Sequence, residues 1–230
     1  MSLLDAVQRV GLPPAATVPQ SEKKRYSELL SRYLAEEVAA GLRAARFPGV
    51  KPFPGQPGEK EFQGGLGPKR VDVSYADERH GLLLAVSIKS INFPPFGKNL
   101  KNRFGDLCTE AITLHMRFPY SVVCALFAFP VSADEDITHA RATSTFQRAT
   151  ALFSTISGRE EYTDPGEKFE NVTMLLFRPV AGDELPPTVR LFDTKSRREM
   201  TEPEYFQLLV RLYNERNPHA AIGVESFDIE

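Results

Sequence analysis

A carboxylate and an ammonium group stand in two neighbouring strand-like segments of the chain, at Asp72 and Lys89. Around Asp72, valines alternate with polar residues, which is typical of a strand with one buried face. The polar turn at residues 77–81 then reverses the chain into the apolar run LLLAVSIKS, which contains Lys89 near its end. Pairing the two strands about this turn places Asp72 beside Ser87, with Lys89 just beyond on the same face. The sequence therefore predicts that Asp72 and Lys89 converge at one end of a β-hairpin.

This pair of groups suits hydrolysis at phosphorus. A carboxylate such as Asp72 can hold a divalent metal ion, which stabilises the charge that develops during attack on a phosphate. A lysine such as Lys89, placed beside that carboxylate, can orient or deprotonate the attacking water molecule. Metal-assisted cleavage of a phosphate ester is therefore the chemistry that these two residues favour.

The segments Arg70-Val71-Asp72 and Ser87-Ile88-Lys89 resemble the active-site signature of the restriction-endonuclease-like (PD-(D/E)xK) nuclease superfamily. In that signature an Asp and an (Asp/Glu)-x-Lys tripeptide lie on adjacent strands. This chain departs from it twice, because no Pro precedes Asp72 and because Ser87 stands where the acid is usually found. Some type II restriction endonucleases of the superfamily have such a Ser-x-Lys variant, with the acid moved to the next helix. The resemblance implies that Asp72 and the Ile88 carbonyl bind Mg²⁺ or Mn²⁺, and that Ser87 only shapes the site.

Three acidic residues are candidates for the missing acid. On the helix after the hairpin, Asp106 and Glu110 fall on one ridge beside an apolar stripe. Glu110 flanks the buried stripe and is the first choice, whereas Asp106 is the second; the structural alternative is a surface ladder in which Arg103 pairs with Asp106. Glu37 projects into the apolar stripe of the first long helix, where it is either an auxiliary acid or a rim residue whose carboxylate reaches solvent.

Basic residues lie close to these segments in the sequence, and they are candidates for contact with a nucleic-acid backbone. They are Lys69, Arg70, Lys98, Lys101 and Arg103. Cations beside a metal site suit neutralisation of phosphates, although solvated surface charge is the ordinary alternative. The formal net charge of −2 gives the whole chain no basic character, which counts modestly against a DNA-binding role. It does not exclude that role, because a metal-dependent nuclease carries acidic ligands and can confine its basic residues to a cleft.

Composition and element order indicate one domain. The 230 residues are 42% hydrophobic and 25% charged, as expected for a soluble globular chain. A mixed central β-sheet flanked by helices, of the α/β class, is predicted from the order of helix, strands, helix, strand, helix, strands and helix. Over residues 22–178 this order is similar to the αβββαβ core of the same nuclease superfamily. Residues 1–20 are expected to form a peripheral arm, and residues 179–230 a C-terminal strand and helix elaboration.

Local signals predict several individual elements. A helix capped by its first residue is predicted at residues 21–46, and a second helix with an acidic start at residues 134–158. The apolar run at residues 120–130 is expected to be a central strand covered on both faces. Thr201 and Glu204 form a capping box at the start of the last helix.

The sequence also bears on the cellular environment. It shows no signal peptide and no long apolar run, so neither export nor a membrane span is expected. Cys108 and Cys124 are the only cysteines, and they are predicted to be free thiols in a reducing cytoplasm.

These observations lead to two functional hypotheses. The first is a magnesium-dependent DNA endonuclease, with a type II restriction enzyme as the specific candidate and repair or recombination as a weaker one. A duplex cutter that makes two nicks is expected to act as a homodimer. The second is a catalytically inactive member of the same fold that serves as a nucleic-acid or protein interaction module, and Ser87 and the slightly acidic pI favour it.

Overall fold

The computed structural model describes residues 2–56, 59–137, 142–182 and 185–222. The helices are α1 (Leu3–Val10), α2 (Gln20–Ala44), α3 (Leu100–Arg117), α4 (Thr145–Phe153) and α5 (Glu202–Arg216). The strands are β1 (Lys60–Gly64), β2 (Gly67–Val71), β3 (Val73–Asp77), β4 (Gly81–Ser90), β5 (Val122–Pro130), β6 (Asn171–Arg178), β7 (Thr188–Asp193) and β8 (Glu199–Met200).

One mixed sheet is built from six strands in the order β3-β4-β5-β6-β7-β8. The pairs β4–β5 and β5–β6 are parallel, whereas β3–β4, β6–β7 and β7–β8 are antiparallel. β5 is buried at every position, as a strand with parallel neighbours and covered faces should be. The structure therefore confirms the α/β class, the mixed central sheet with flanking helices and the central position of β5.

Helices cover both faces of this sheet. Buried residues of α1, α2 and α5 form one hydrophobic cluster with Val86 and Ile88 of β4. Buried residues of α3 and α4 form a second cluster on the other face, which includes Ala85. Because side chains alternate along a strand, Ser87 and Lys89 share the α3 face with Ala85.

β1 and β2 form a separate two-stranded hairpin that packs on α3. At the hairpin turn, the backbone N–H of Gly65 donates to the carbonyl of Thr113 at 2.8 Å. A Cβ on Gly64 would stand 2.4 Å from the side chain of Thr113, so only glycine allows this approach. The hairpin is thereby held against the C-terminal half of α3.

The segment predicted as one strand around Asp72 is in fact two strands. β2 ends at Val71 and β3 begins at Val73, with Asp72 between them. Val71 is buried in the cluster on the α3 face, whereas Val73 is buried in the cluster on the α2 face. The chain therefore passes from one face of the main sheet to the other at Asp72.

The N-terminal residues differ from the expected peripheral arm. Ser2 and Asp5 form a capping box that starts α1. Leu3, Ala6 and Val7 are fully buried in the cluster that contains α2. α1 is therefore part of the hydrophobic core.

The helices near both ends of the chain are close to their predicted bounds. α2 begins just before the predicted range 21–46, and its N-cap Pro19 makes no side-chain hydrogen bond, so the predicted cap is absent. The capping box of Thr201 and Glu204 is present at the start of α5. Of the predicted C-terminal elaboration, residues 183–184 and 223–230 lie outside the described residues. No helix among the described residues combines the length and the apolar character needed to cross a membrane.

α4 is shorter than the helix predicted at residues 134–158, of which residues 138–141 lie outside the described residues. Ser144 Oγ donates to Asp134 at 2.6 Å, and the backbone N–H of Thr145 donates to Asp136 at 2.7 Å. These acidic residues bind the first turn of α4 through their side chains, so they lie outside the helix they were predicted to start.

A buried ionic cluster around Glu170, just before β6, ties α3 and α5 to the sheet. Glu170 lies 2.8 Å from Arg159, 3.2 Å from Arg216 of α5 and 3.5 Å from His115 of α3. It also accepts the backbone N–H of Val123 at 2.8 Å. These contacts fix the C-terminal end of α3, the helix that also contains Glu110.

Candidate functional site

Asp72 is held at the end of the β3–β4 hairpin. The pairing of β3 with β4 starts at Val73, opposite Val86, so the backbone of β4 beyond Val86 has no strand partner on that edge. Asp72 Oδ2 accepts the N–H of Ile88 at 2.7 Å and lies 3.5 Å from the Nζ of Lys89. The carboxylate therefore continues the antiparallel pairing in place of a strand backbone.

Glu110 of α3 meets the same end of β4. Its carboxylate is fully buried, and its Oε2 lies 3.3 Å from the Nζ of Lys89. Ser87 Oγ donates a hydrogen bond to the other oxygen, Oε1. Glu110 can reach β4 because Ser87 and Lys89 both face α3. The structure thus brings Asp72, Ser87, Lys89 and Glu110 into one cluster.

Lys69 of β2, in the hairpin β1–β2, also belongs to this cluster. It is paired with Phe62 of β1, which is buried against α3, so Lys69 faces the same helix. Its Nζ lies 3.0 Å from Glu110 Oε2. Arg70 points the other way, as strand alternation requires, and lies near Glu59 and Glu61. Lys69, predicted as a contact to a nucleic-acid backbone, contacts an acid of the site in this structure.

The charges in the cluster shift the pKa values of two of its members. Burial raises the pKa of the Asp72 carboxyl, and the charge of Lys89 only partly offsets this rise. Burial on its own would lower the pKa of Lys89, but the nearby Asp72 and Glu110 carboxylates outweigh it, and the pKa is raised. Lys89 is therefore an ammonium ion at neutral pH in this state, so it can donate hydrogen bonds but cannot take a proton from water.

A cleft of about 800 Å³ opens over one side of the cluster, between α2 and the hairpin β1–β2. Asp72, Ile88 and Lys89 line its floor. Cationic side chains line its walls, and they are Lys24, Arg32, Arg70 and Arg103. Acidic side chains are interleaved with them, at Glu28, Glu59 and Glu61. Basic side chains thus line the cleft near Asp72, but the acidic side chains among them keep its surface from being strongly positive.

The other predicted acids lie away from this cluster. Asp106 is a surface residue whose side chain is 53% exposed, and it pairs with Arg103 at 3.1 Å. This is the surface ion pair that was predicted as the structural alternative for this helix. Glu37 is buried on α2 and pairs with Arg9 of α1 at 3.1 Å. Since the cleft is lined on α2 by residues such as Ser31 and Ala35, Glu37 lies on a different side of the helix.

The predicted basic contacts also separate in space. Arg70 and Arg103 line the cleft, as already described. Lys98 lines a different groove, together with Asp136 and Arg148. Lys101 is exposed on α3 and does not line the cleft.

Residues of α2 that line the cleft were missed by the sequence prediction. They are Lys24, Ser27, Glu28, Ser31, Arg32 and Ala35. Their spacing places them on one face of α2, beside its apolar stripe, and all of them except the buried Ala35 are polar. This periodic polar face was the available signal, but a polar face is the normal outer surface of an amphipathic helix and does not identify a site by itself.

The donor atoms of the cluster fit a divalent metal ion with oxygen ligands. Glu110 Oε2 is buried, and no described residue donates a hydrogen bond to it, although two ammonium groups lie within ion-pair distance. Both contacts of Asp72 use Oδ2, which leaves its Oδ1 for another ligand. Within the described residues, no group of three His, Cys, Asp or Glu side chains could hold a metal ion. A metal ion here would therefore have two carboxylate ligands, supplemented by hydroxyl, carbonyl or water oxygens.

The chain matches no protein-family model, no curated protein and no solved structure.

Proposed function

We propose that this protein is a metal-dependent DNA endonuclease of the restriction-endonuclease-like superfamily. The observation that carries the proposal is the contact of Lys89 with both Asp72 and Glu110, beside a cleft that Asp72 and Lys89 line. A second carboxylate from α3 compensates for the acid that is missing at Ser87. The element order α2, β3, β4, α3, β5 agrees with the proposed αβββαβ core only in part, because two strands of the main sheet lie between α2 and α3 and β1 and β2 form a separate hairpin.

Asp72 and Glu110 would hold Mg²⁺, or Mn²⁺ in its place, with the Ile88 carbonyl as a further ligand. A metal ion held there supplies electrostatic stabilisation of the phosphate and lowers the pKa of bound water. The residues of the chain set the geometry. The Ile88 N–H fixes one oxygen of Asp72, and the Ser87 hydroxyl fixes one oxygen of Glu110.

Lys89 would act as a cation in this site. Its ammonium group can donate hydrogen bonds to the attacking water and to a phosphate oxygen, and it balances the negative charge that increases during attack. In the metal-free protein, the Asp72 and Glu110 carboxylates raise the pKa of Lys89 and favour its charged form. Orientation of the attacking water is the role that this charged form can perform, and deprotonation of the water is the alternative.

The basic side chains in the walls of the cleft would contact the DNA backbone. Lys24 and Arg32 of α2, Arg70 of β2 and Arg103 of α3 line the same cleft as Asp72. Such contacts position a backbone without reading its sequence. A type II restriction enzyme acting as a homodimer, which places two such sites on one duplex, is the specific form of the proposal.

The experiment that tests this function is nicking of supercoiled plasmid with Mg²⁺, with Mn²⁺ and with EDTA. Asp72→Ala and Lys89→Ala should each lose at least about 100-fold in cleavage rate, because each removes charge from the reacting centre. Circular dichroism of both variants should show an intact fold, and Asp106→Asn serves as the matched acid control. Undiminished cleavage by both Asp72→Ala and Lys89→Ala would rule out the assignment.

A catalytically inactive interaction module is the second candidate, and one observation favours it. Each carboxylate of the cluster is already neutralised by a lysine, since Asp72 pairs with Lys89 and Glu110 pairs with Lys69 and Lys89. Calorimetry with Mg²⁺ and Mn²⁺ distinguishes the two candidates. Absence of metal uptake together with absence of nicking would favour the inactive module.

A further inference from the structure

Glu110 forms ion pairs with two ammonium groups, those of Lys69 and Lys89, and the proposed reaction uses only that of Lys89. Oε2 of Glu110 lies 3.0 Å from Lys69 and 3.3 Å from Lys89. Oε1 of the same carboxylate accepts the hydroxyl of Ser87. Both oxygens are therefore in use before any metal ion is bound.

The two lysines differ in what they contact. Lys89 contacts both Asp72 and Glu110, and it lies on β4 between them. Lys69 comes from the separate hairpin β1–β2 and forms an ion pair with Glu110. The side chain of Lys69 is 30% exposed and that of Lys89 is 21% exposed, whereas Glu110 is fully buried. Of the two ammonium groups, that of Lys69 can reach water more easily.

A divalent ion on Glu110 Oε2 would stand within a few ångströms of the position that Lys69 Nζ now occupies. Repulsion between like charges at such a distance is strong wherever water is partly excluded. Of the two ammonium groups, Lys69 is the one expected to leave Oε2, because Lys89 is also held by Asp72. The exposure of Lys69 gives its long, flexible side chain a path to solvent.

We propose that Lys69 is an internal cation that occupies Glu110 in the metal-free protein and is displaced to solvent when a divalent metal ion binds. The inference rests on the proposed metal-dependent function and adds a residue to it. Lys69 stabilises the otherwise uncompensated Glu110 carboxylate in the absence of metal, and it competes directly with the metal ion for that carboxylate. The affinity of the site for metal is therefore set in part by the hairpin.

Two measurements test this proposal on the full chain without DNA. In the first, Mn²⁺ affinity is measured by calorimetry for wild type and Lys69→Gln. Removal of the competing charge should tighten Mn²⁺ binding at least about tenfold. Lys69→Arg, which keeps the charge, should bind Mn²⁺ like wild type. Lys101→Gln is the matched control, since Lys101 is exposed on α3 about 13 Å along the helix axis from Glu110.

In the second measurement, the acetylation rate of Lys69 in the wild-type protein is followed by mass spectrometry with and without Mg²⁺. Displacement by metal should make Lys69 react several-fold faster, while the rate at Lys101 stays constant. This arm needs no substitution, so it does not depend on the folding of a variant.

The outcomes separate the two proposals. Unchanged or weaker Mn²⁺ binding by Lys69→Gln, or a Lys69 acetylation rate that metal does not increase, would overturn the role of Lys69 while wild-type cleavage still supports the nuclease. If wild type neither binds metal nor nicks DNA, both proposals fail together.

Discussion

Asp72 Oδ2 accepts the backbone N–H of Ile88 at 2.7 Å, at the point where the hairpin β1–β2 joins the six-stranded sheet. One carboxylate therefore has two tasks, since it completes the hydrogen bonding of β4 and provides a charged oxygen to the cleft. A neutral isostere can perform the first task but not the second, which makes the two tasks separable by mutation.

Asp72→Asn should lose metal binding and cleavage yet keep its stability. The amide oxygen of asparagine still accepts the Ile88 N–H, and Lys89 keeps Glu110 as a counter-ion. Asp72→Ala leaves the N–H without this partner and should cost a further 1–3 kcal/mol or so in the free energy of unfolding. Urea denaturation and Mn²⁺ calorimetry on both variants check this. Equal stability of the two variants would show that the hydrogen bond contributes nothing.

Glu110→Gln should weaken metal binding more than Asp106→Asn does. Glu110 is fully buried against Lys69 and Lys89, whereas Asp106 is a surface residue paired with Arg103. We expect a loss of Mn²⁺ affinity of about tenfold or more for Glu110→Gln, and a change within about twofold for Asp106→Asn. Calorimetry under one set of conditions gives both values. The reverse ranking would move the second ligand to Asp106.

Much of this site follows from periodicities that the sequence displays. Alternation in the two strands predicts that Asp72 and Lys89 meet, and the helical repeat distinguishes Glu110 from its neighbours. The same alternation also separates Lys69 from Arg70, since Lys69 shares a face with Val71. The two basic residues were treated as one patch in the sequence prediction, although a period of two places them on opposite faces.

Other features depend on tertiary packing and leave no local trace. Val71 and Val73 are both buried, but in hydrophobic clusters on opposite faces of the sheet. The alternation of apolar and polar residues is the same as in one continuous strand, so it does not show that the strand is interrupted at Asp72. The residues of α2 that line the cleft look like ordinary surface residues in the sequence. They can be recognised as part of a cleft only when the other residues that line it are known. In contrast, the capping box of Ser2 and Asp5 does indicate the start of α1 in the sequence. The sequence prediction gave more weight to the proline-rich stretch that follows α1 and therefore missed this helix.

Glu37→Gln should leave metal-dependent cleavage within about twofold of wild type. Glu37 pairs with Arg9 of α1 and is absent from the cleft lining, so its charge does not reach the reacting centre. The free energy of unfolding should fall by about 1 kcal/mol or less, because Arg9 keeps Glu36 as a second partner. Plasmid nicking and urea denaturation measure the two effects. A folded Glu37→Gln protein without cleavage would restore Glu37 as an auxiliary acid.

Arg103→Gln should weaken DNA binding and reduce its dependence on salt. Arg103 lines the cleft, whereas Lys101, two residues earlier on the same helix, does not. Loss of one phosphate contact lowers the slope of log K against log salt concentration by about 0.9, and Lys101→Gln should leave that slope unchanged. Fluorescence anisotropy with a DNA duplex in Ca²⁺, measured over a range of salt concentrations, gives the slopes. Equal effects of the two substitutions would exclude the cleft as the DNA site.

Glu170→Gln should destabilise the protein in a way that depends on pH. The carboxylate is buried among Arg159, Arg216 and His115. Burial raises its pKa, but contacts with His115, the Val123 N–H and Arg159 outweigh burial and hold the pKa below the ordinary value of 4.5. A pKa that is lowered in the folded state contributes stability that is present above the unfolded-state pKa and is lost as the pH falls through the folded-state pKa. At pH 7 the substitution should cost about 3–5 kcal/mol, because it leaves the buried Arg159 without its counter-ion.

The same reasoning fixes the shape of the pH profile for Glu170→Gln. Urea denaturation at pH 7 should show the full difference between wild type and variant, and that difference should start to shrink below about pH 4.5, where the unfolded wild-type chain begins to bind a proton at Glu170. Glu160→Gln is the matched control, because Glu160 is exposed and pairs with Lys195 at the surface. A destabilisation by Glu170→Gln that stays constant down to the acid unfolding of wild type would show that the charge of Glu170 is not its source.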